Sequence, residues 1–512
     1  MHFAGALDAA FQQPYDRHAR AMRLTALDLT FIVVYLAGIT AFGIALRRGQ
    51  STVRDYFLGG RTAPWWALAF SIVATETSTL TIVGTPALAF AGNLTFLQLV
   101  LGYLAGRVVI VLVFLPRYFR GEYYTAYQLM ERRFGAKVKA VAASTFLVTR
   151  ALAEGVRIAA IGFVIQAAFG TGQRTSVLLI VALVLVYTFE GGMKAVIWTD
   201  VVQFLLYFSG SIATFFILLH AIPGGWASVV HAASATDKFR LFDFSFSFTN
   251  PGKTYTFWSG MIGGTFLTMA SHGTDQTIVQ RLLAAKSERE SKIALLASGG
   301  IILFQFALFL VLGVMLYAWQ GAPVVHAGQS YDAVLPGFIV TAMPSGMRGF
   351  MIAAIIAIAM SNASGSLNSL AASSVLDFQE LRGGYEPGGA QRASQEKNQV
   401  SAPADAPRNF LRYSRGVTLI WGAILALLGT LNWGPMLEAG LTIASITFGI
   451  LLGLFLLAFL LRRATASGVL IGMFAGLAAI LYIHFRTPLL WTWYVPAGTL
   501  ITFLAGAVGS LW

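Results

Sequence analysis

Long apolar stretches recur along the whole chain and restrict its fold more than any other feature of the sequence. A helix needs roughly 20 apolar residues to cross a bilayer, and it must satisfy its backbone polar groups internally there. Stretches long enough to do so lie near residues 25–46, 66–90, 96–116, 138–168, 175–189, 195–221, 256–275, 291–318, 349–375, 413–431, 437–461, 468–485 and 490–511. The predicted fold class is therefore an all-α polytopic membrane protein with about 13 transmembrane helices.

The composition agrees with a membrane protein and limits the partners. Of the 512 residues, 57% are hydrophobic and 11% are charged, which is more apolar surface than a water-soluble domain can bury. The net charge of +13 would suggest nucleic acid for a soluble protein, but these cations lie mostly in short loops between apolar stretches. We therefore predict a lipid bilayer and a small solute as partners and no nucleic acid. The absence of cysteine excludes disulfides and thiolate metal sites.

The positions of the cations predict the orientation. Cytoplasmic loops carry an excess of Lys and Arg, and the cations of this chain cluster in alternate loops, at residues 47–61, 117–139, 281–292, 408–415 and 462–463. We expect a multi-pass protein of the plasma (inner) membrane with its N-terminus outside and its C-terminus in the cytoplasm. Residues 1–23 read as a non-cleaved tail without a signal-peptide core, and residues 383–407 as a flexible cytoplasmic linker.

Two of the predicted spans are interrupted by polar residues. The second carries A-T-E-T-S-T-L-T at 74–81, and the seventh carries T-M-A-S-H-G-T-D-Q at 268–276. They begin two successive five-span sets, residues 66–221 and 256–461. Broken helices at corresponding positions of two repeats indicate a secondary transporter whose site lies at mid-membrane. The alternative is that Thr and Ser bond back to their own helices, which does not account for Glu76 and the other ionisable residues.

Several motifs follow one another along residues 50–465. Asp200, a carboxylate within an apolar span, belongs to Y-T-F-E-G-G-M-K-A-V-I-W-T-D-V-V-Q at 187–203. Others are D-Y-F-L-G-G-R at 55–61, Y-Q-L-M-E-R-R-F-G at 127–135, T-D-Q at 274–276 and S-N-A-S-G-S-L-N-S-L-A at 361–371. In this order they resemble the sodium:solute symporter family, which includes sodium/glucose, sodium/proline and sodium/sialic acid cotransporters.

The resemblance implies a leucine-transporter-like fold with two inverted five-helix repeats. One extra helix precedes the repeats, at residues 24–48, and two helices follow them, within residues 468–512. It also implies a sodium ion as the only cofactor. Sodium prefers oxygen ligands, which carbonyls freed at a helix break and hydroxyls supply.

The implied sodium residues come from three spans. The resemblance implies that the carbonyls of Ala74 and Thr77 face Ser361 and Asn362, with Asp200 near the ion. Most relatives have Ser or Thr at the position of Asn362, whose amide oxygen can also coordinate. A second sodium would need hydroxyls at residues 364 and 365, and residue 365 is glycine, so we expect one ion. Alternatively, Asp200 is the structural partner of a buried arginine.

Candidate substrate residues lie at helical spacing on three spans. The candidates are Glu76, Thr81, Arg150, Glu154, Arg157, Thr268, Ser271 and His272. His272 stands where sugar carriers of the family have Trp, which favours a charged metabolite, and a buried arginine suits a carboxylate. The alternative is that Arg150, Glu154 and Arg157 neutralise one another as a structural network.

These observations predict a sodium-coupled secondary active transporter that imports a small polar organic solute, a carboxylate or an amino-acid-like metabolite, by alternating access. A proton-coupled symporter of the same fold and a non-transporting solute sensor are the alternatives. The chain ends directly after the last predicted span, so no signalling domain is expected. An enzyme is not predicted, because no H-E-x-x-H motif occurs and the seven His are scattered.

Overall fold

The computed structural model of the protein describes residues 24–46, 59–120, 126–187, 193–324, 331–379 and 408–511. In these ranges the chain is helical, and its extended pairing is limited to an isolated bridge between Ala63 and Ala285. The helices are α1 Ala26–Leu46, α2 Trp65–Glu76, α3 Thr79–Ala91, α4 Leu97–Phe119, α5 Ala126–Phe134, α6 Ala136–Phe169, α7 Gln173–Tyr187, α8 Met193–Ala221, α9 Gly225–Ser234, α10 Phe257–Gly273, α11 Gln276–Leu283, α12 Glu288–Trp319, α13 Val334–Ala342, α14 Met347–Gln379, α15 Arg408–Gly429, α16 Met436–Leu460, α17 Ala466–Arg486 and α18 Tyr494–Gly509.

The all-helical membrane architecture expected from the sequence is confirmed. Every predicted apolar stretch coincides with helix over most of its length. Among the described residues, 7 helices are long and apolar enough to cross a membrane, or 8 when the bent pair α2 and α3 counts as one span. The predicted tail at 1–23, the predicted linker at 383–407 and the start of the motif at 55–61 lie outside the described residues.

Helix starts follow local capping chemistry. The side chains of Ser287 and Asp275 accept hydrogen bonds from the amides of Glu290 and Thr277 at the starts of α12 and α11. Such caps satisfy amides that have no partner within the helix. The carboxylates in the first turn of α12 also stabilise the positive end of its dipole.

Close helix packing depends on small residues. Gly102 and Gly106 of α4 lie against the α10 backbone, where a Cβ on Gly102 would collide with the Gly260 carbonyl. Small residues let membrane helices approach closely, because lipid supplies no hydrophobic driving force between them. Aromatic side chains fill wider contacts, such as the stacked rings of Phe70 in α2 and Phe204 in α8, whose centroids are 4.7 Å apart.

A buried ion pair ties the first helix to the helices that follow. Asp28 at the start of α1 accepts hydrogen bonds from Arg348 Nη2 at 2.7 Å and from the amides of Gly346 and Gly349 at 2.8 and 2.9 Å. All of these partners lie at or just before the start of α14. A buried carboxylate with this many donors is fully compensated, so α1 is fixed against α14.

Candidate functional site

The break between α2 and α3 is the centre of the candidate site. The two helices meet at an angle of 66°, and Thr77 and Ser78 between them are extended. The Ser78 amide donates to Thr81 Oγ1 at 3.3 Å, so it does not continue the helix by bonding to the Ala74 carbonyl. The break therefore frees carbonyls at the end of α2, at the position that the sequence predicted.

Helix α14 faces these freed carbonyls. Asn362 Nδ2 donates to the Thr77 carbonyl at 3.2 Å, and Ser361 Oγ donates to Asp200 Oδ1 at 3.0 Å. The Thr77 hydroxyl accepts from Gln305 Nε2 of α12 at 2.7 Å. Thr77, Ser361, Asn362 and Asp200 thus meet at the junction of α2, α8 and α14, and the Ala74 carbonyl lies in the last turn of α2 beside them. Carbonyl, hydroxyl and amide oxygens are the ligands that suit a hard cation.

Asp200 also has a buried arginine partner. Arg281 of α11 donates from Nη2 to Asp200 Oδ2 at 2.9 Å, and Ser71 Oγ donates to the same oxygen at 2.6 Å. Arg281 further bonds to Ser71 Oγ and to the Thr277 carbonyl. Asp200 therefore has the buried arginine partner that the structural interpretation expected, and it also contacts Ser361, a predicted sodium residue. Its role at the sodium ion stays a prediction.

A cavity of about 150 Å³ lies beside the break. Seven of the eight predicted substrate residues are in its wall: Glu76, Thr81, Arg150, Arg157, Thr268, Ser271 and His272. Glu154, the eighth, lines a narrower space next to Arg157. Residues from α2, α3, α6 and α10, separated by up to 196 positions in sequence (Glu76 to His272), are thus brought to one cavity.

The Glu76 cluster, which we define as Glu76, Arg107 and His272, is a closed network. Arg107 is fully buried and donates from Nη2 to Glu76 Oε2, from Nε to Ser298 Oγ at 3.3 Å and from Nη1 to a backbone carbonyl of α4. His272 Nε2 lies 3.3 Å from the same Glu76 oxygen, and its Nδ1 lies 2.9 Å from Ser271 Oγ. Side chains of α2, α4, α10 and α12 thereby satisfy one another.

The Arg150 cluster, defined as Arg150, Glu154 and Arg157 of α6, is less complete. Glu154 Oε2 accepts from Arg157 Nη1 at 3.2 Å and from Ser366 Oγ at 2.7 Å. Arg150 Nε donates to that serine at 2.9 Å. Among the described residues, Glu154 Oε1 and Arg157 Nε are buried without a hydrogen-bond partner. The cluster holds two cations and one carboxylate.

A larger cavity of about 370 Å³ adjoins the first. The two share Phe96 and Leu437 as lining residues, and Tyr255 donates to Glu438 Oε1 at 2.7 Å in the wall of the larger one. Asp243 also lines it. Burial alone raises the pKa of this carboxyl, but the Lys253 ammonium at 2.8 Å and bonds from a serine hold the pKa below its usual range. The larger cavity is therefore charged and shares part of its wall with the smaller one.

Sequence analysis did not assign several residues to the site, and it interpreted Arg107 as a structural cation of its span. Arg107 and Arg281 make the ion pairs of Glu76 and Asp200, and Gln305 holds the Thr77 hydroxyl. Asp275, which caps α11, is also in the cavity wall. A signal existed for Arg107, since an arginine within an apolar span marks a functional or paired position.

Comparisons with known proteins identify several relatives. The profile of the sodium:solute symporter family matches residues 56–476. The chain is 29% identical over 503 residues to the sodium/sialic acid symporter NanT of Aliivibrio fischeri, covering 95% of this chain and 93% of that protein. It is 30% identical over 455 residues to the human sodium/iodide cotransporter, covering 85% of this chain and 66% of that protein.

Solved structures agree with the sequence relatives. The substrate-bound, outward-open structure of a Na⁺-coupled sialic acid symporter superposes with a TM-score of 0.79 at 25% identity, covering 95% of this chain and 98% of the other. Mhp1, a transporter of the nucleobase-cation-symport-1 family, superposes in a closed conformation with a TM-score of 0.52 at 12% identity, covering 91% and 95%. The second match shows a shared fold.

Proposed function

The chain belongs to the sodium:solute symporter family, and from this premise we propose that it imports a small organic anion with a carboxylate group. Membership makes it a sodium-coupled, multi-pass membrane transporter and not an enzyme, as the sequence predicted. Our proposal concerns the class of solute that is transported, the residues that bind the sodium ion and the number of membrane spans.

The unbalanced Arg150 cluster carries the proposal for the solute. Glu76 is already paired with Arg107, so it does not neutralise the cluster. Asp275 in the same wall caps the N-terminus of α11, where the helix dipole compensates its charge. The wall therefore retains a positive charge at Arg150, whose Nε alone donates a hydrogen bond within the described protein. A bound carboxylate would accept from the rest of the guanidinium.

The named solutes of several relatives support an anion. Sialic acid, iodide and monocarboxylates appear in the names of related cotransporters, and each is an acid or an anion. The cavity of about 150 Å³ favours a small member of this class. Thr268, Ser271 and Thr81 in its wall offer hydroxyls for the polar remainder of the solute.

We propose a single sodium site at the junction of α2 and α14. Carbonyls of Ala74 and Thr77, the Ser361 hydroxyl and the Asn362 amide oxygen would bind the ion, once the Asn362 amide turns its oxygen toward Thr77. Asp200 would contribute negative charge through Ser361, which it already contacts. At residues 364 and 365, the side chain of Ser364 lies outside the described part, and glycine at 365 has no hydroxyl.

We propose thirteen spans in the topology of two inverted repeats, residues 66–221 and 256–461, with the N-terminus outside. Support comes from the breaks at corresponding positions, α2 to α3 and α10 to α11. The 8 spans counted with the bent pair and the three shorter apolar helices within α1, α7 and α15 make 11, and α6 and α10 would complete the number. Cysteine labelling of positions 20 and 511 from either side of the membrane would test the orientation.

Arg150→Gln tests the solute. We expect carboxylate binding in proteoliposomes to weaken by about 1.5–3 kcal/mol, the range for a hydrogen bond to a charged group, or roughly 10- to 150-fold in affinity. Arg463→Gln, an exposed position, is the control. Competition of uptake by a carboxylate and by its matched amide gives the deciding result, because equal inhibition by both would exclude carboxylate recognition.

Ser361→Ala tests the sodium site. We expect the sodium concentration for half-maximal uptake to rise while the expression level is unchanged, because one ligand oxygen is lost. Ser369→Ala is a matched control on the same helix, since its hydroxyl bonds back to the Gly365 carbonyl. Uptake is compared in sodium and in choline at fixed pH. An unchanged sodium dependence of Ser361→Ala would refute the assignment.

A further inference from the structure

Cations from separate segments of the chain meet at the C-terminal end of α16. Arg133 of α5 donates from Nη2 to the Leu461 carbonyl at 2.7 Å and from Nη1 to a second carbonyl in the last turn of α16. The guanidinium of Arg117, in the last turn of α4, lies 5.0 Å from the centre of the Phe459 ring. Arg462 follows directly in the chain. The folded chain thus gathers at one helix end cations that are far apart in sequence.

Four cations form the basic patch, which we define as Arg117, Arg133, Lys137 and Arg462. Lys137 lies in the first turn of α6, directly after α5, where the helix dipole is positive and does not offset its charge. Both Lys137 and Arg462 are exposed.

The basic patch has little charge compensation within the protein. In the ranges that the structure describes, no carboxylate forms an ion pair with a cation of the patch, and the neighbouring Glu131 is paired with Lys139 at 3.1 Å. The carbonyls at the end of α16 attract Arg133, and the Phe459 ring attracts Arg117. These contacts leave Lys137 and Arg462 without an anionic partner. Like charges held this close repel one another, so an anion that joins them is stabilised.

The basic patch lies where a bilayer places its headgroups. Both α4 and α16 are long and apolar enough to cross a membrane, and the patch is at the end of each. Leu460, two positions before Arg462, is 58% exposed, and an apolar side chain exposed on a spanning helix faces acyl chains. Lys and Arg near helix ends extend their charged groups to the interface. The anion within reach of both the patch and the acyl chains is a lipid phosphate.

We propose that the basic patch binds the headgroup of an anionic phospholipid of the phosphatidylglycerol class. An arginine has five N–H donors, of which the carbonyls of α16 take two from Arg133. The guanidinium is thereby oriented, and it keeps donors for phosphate oxygens. Lys137 and Arg462 add positive charge beside it. The ammonium of a zwitterionic lipid is repelled by these cations, so the patch selects lipids by their net charge.

Native mass spectrometry of the full chain in detergent tests this proposal. Phosphatidylglycerol and phosphatidylcholine with identical acyl chains are added at equal concentrations, and the bound fraction of each lipid is measured. We expect the double variant Lys137→Gln and Arg462→Gln to lower the preference for phosphatidylglycerol about 30-fold, because each cation near an anionic lipid contributes roughly a factor of 5. This variant leaves the bonds of Arg133 to α16 in place, so the fold is retained.

The double variant Arg174→Gln and Arg486→Gln is the matched control. Both arginines are exposed, one at the start of α7 and the other at the end of α17, so the same net charge is removed away from the patch. We expect its preference for phosphatidylglycerol to be unchanged.

Three results would overturn the proposal. An equal loss of preference in both double variants would mean a general attraction between a basic protein and anionic lipid, without a site. An unchanged preference in Lys137→Gln and Arg462→Gln would exclude the patch. We expect millimolar inorganic phosphate to leave the bound phosphatidylglycerol in place, and its displacement would show that the patch takes a free anion instead of a lipid headgroup.

Discussion

The Glu76 cluster and the Arg150 cluster face the same cavity but differ in how completely they are paired. Arg107 in the first donates to a carboxylate, a hydroxyl and a carbonyl, and is fully buried. In the second, two arginines share one carboxylate, of which one oxygen has no partner among the described residues. A buried charge that is fully paired costs little further energy, whereas an incompletely paired one is unstable without a ligand. Completeness of pairing thus distinguishes the Glu76 cluster, whose charges satisfy one another, from the Arg150 cluster, for which we propose a solute as the missing partner.

Among the variants that test this difference in pairing, we expect Arg107→Gln to have the largest effect, which is a loss of stability. Removing this guanidinium leaves Glu76 as a charge in the cavity wall, and breaking one side of a buried pair costs about 3–5 kcal/mol. Thermal or denaturant unfolding in detergent measures the loss. The double variant Arg107→Gln and Glu76→Gln should recover much of it, because no unpaired charge remains.

A small loss of stability in Arg107→Gln alone would contradict this difference between the clusters, since it would mean that the Glu76 cluster does not depend on its ion pair. Retained stability together with abolished transport would assign Arg107 to solute recognition instead.

Glu154→Gln tests the Arg150 cluster, and we expect it to have an intermediate effect on the affinity for a carboxylate solute. Removing the single carboxylate of the Arg150 cluster raises the positive potential in the cavity. A unit charge about 10 Å away at an effective dielectric constant of about 20 is worth roughly 1–2 kcal/mol, so a carboxylate solute should bind more tightly by about this amount. Equilibrium binding measures the change, with Glu288→Gln at an exposed ion pair as control. Weaker binding would contradict the expected sign.

The smallest effect is expected for Ser271→Ala. It removes the partner of His272 Nδ1, which lies 2.9 Å from the serine hydroxyl, while the Arg107 and Glu76 pair remains. A single neutral hydrogen bond contributes about 0.5–1.5 kcal/mol, and that range bounds the loss of stability on unfolding. A loss as large as that of Arg107→Gln would mean that the histidine, and not the arginine, holds the Glu76 cluster together.

The sequence predicted which segments line the candidate site better than it predicted the contacts between their side chains. The break at 74–81 was readable because a polar run interrupts an apolar stretch. The cavity residues on α10 were readable from their spacing of three and four. Arg281 could not be recognised as the partner of Asp200, since the two are 81 residues apart and on different helices, and no local pattern records such a distance.

Sequence alone determined that this protein is a bundle of membrane helices, where the helices lie and where one of them breaks. The reason is that the bilayer imposes helix length and internal hydrogen bonding on each segment by itself. Tertiary structure alone decided which charges neutralise one another, that Glu76 belongs to Arg107 and that the Arg150 cluster keeps a surplus cation. Ion pairing depends on distances of a few ångströms between side chains of separate helices, and packing fixes these distances only after all the helices have assembled.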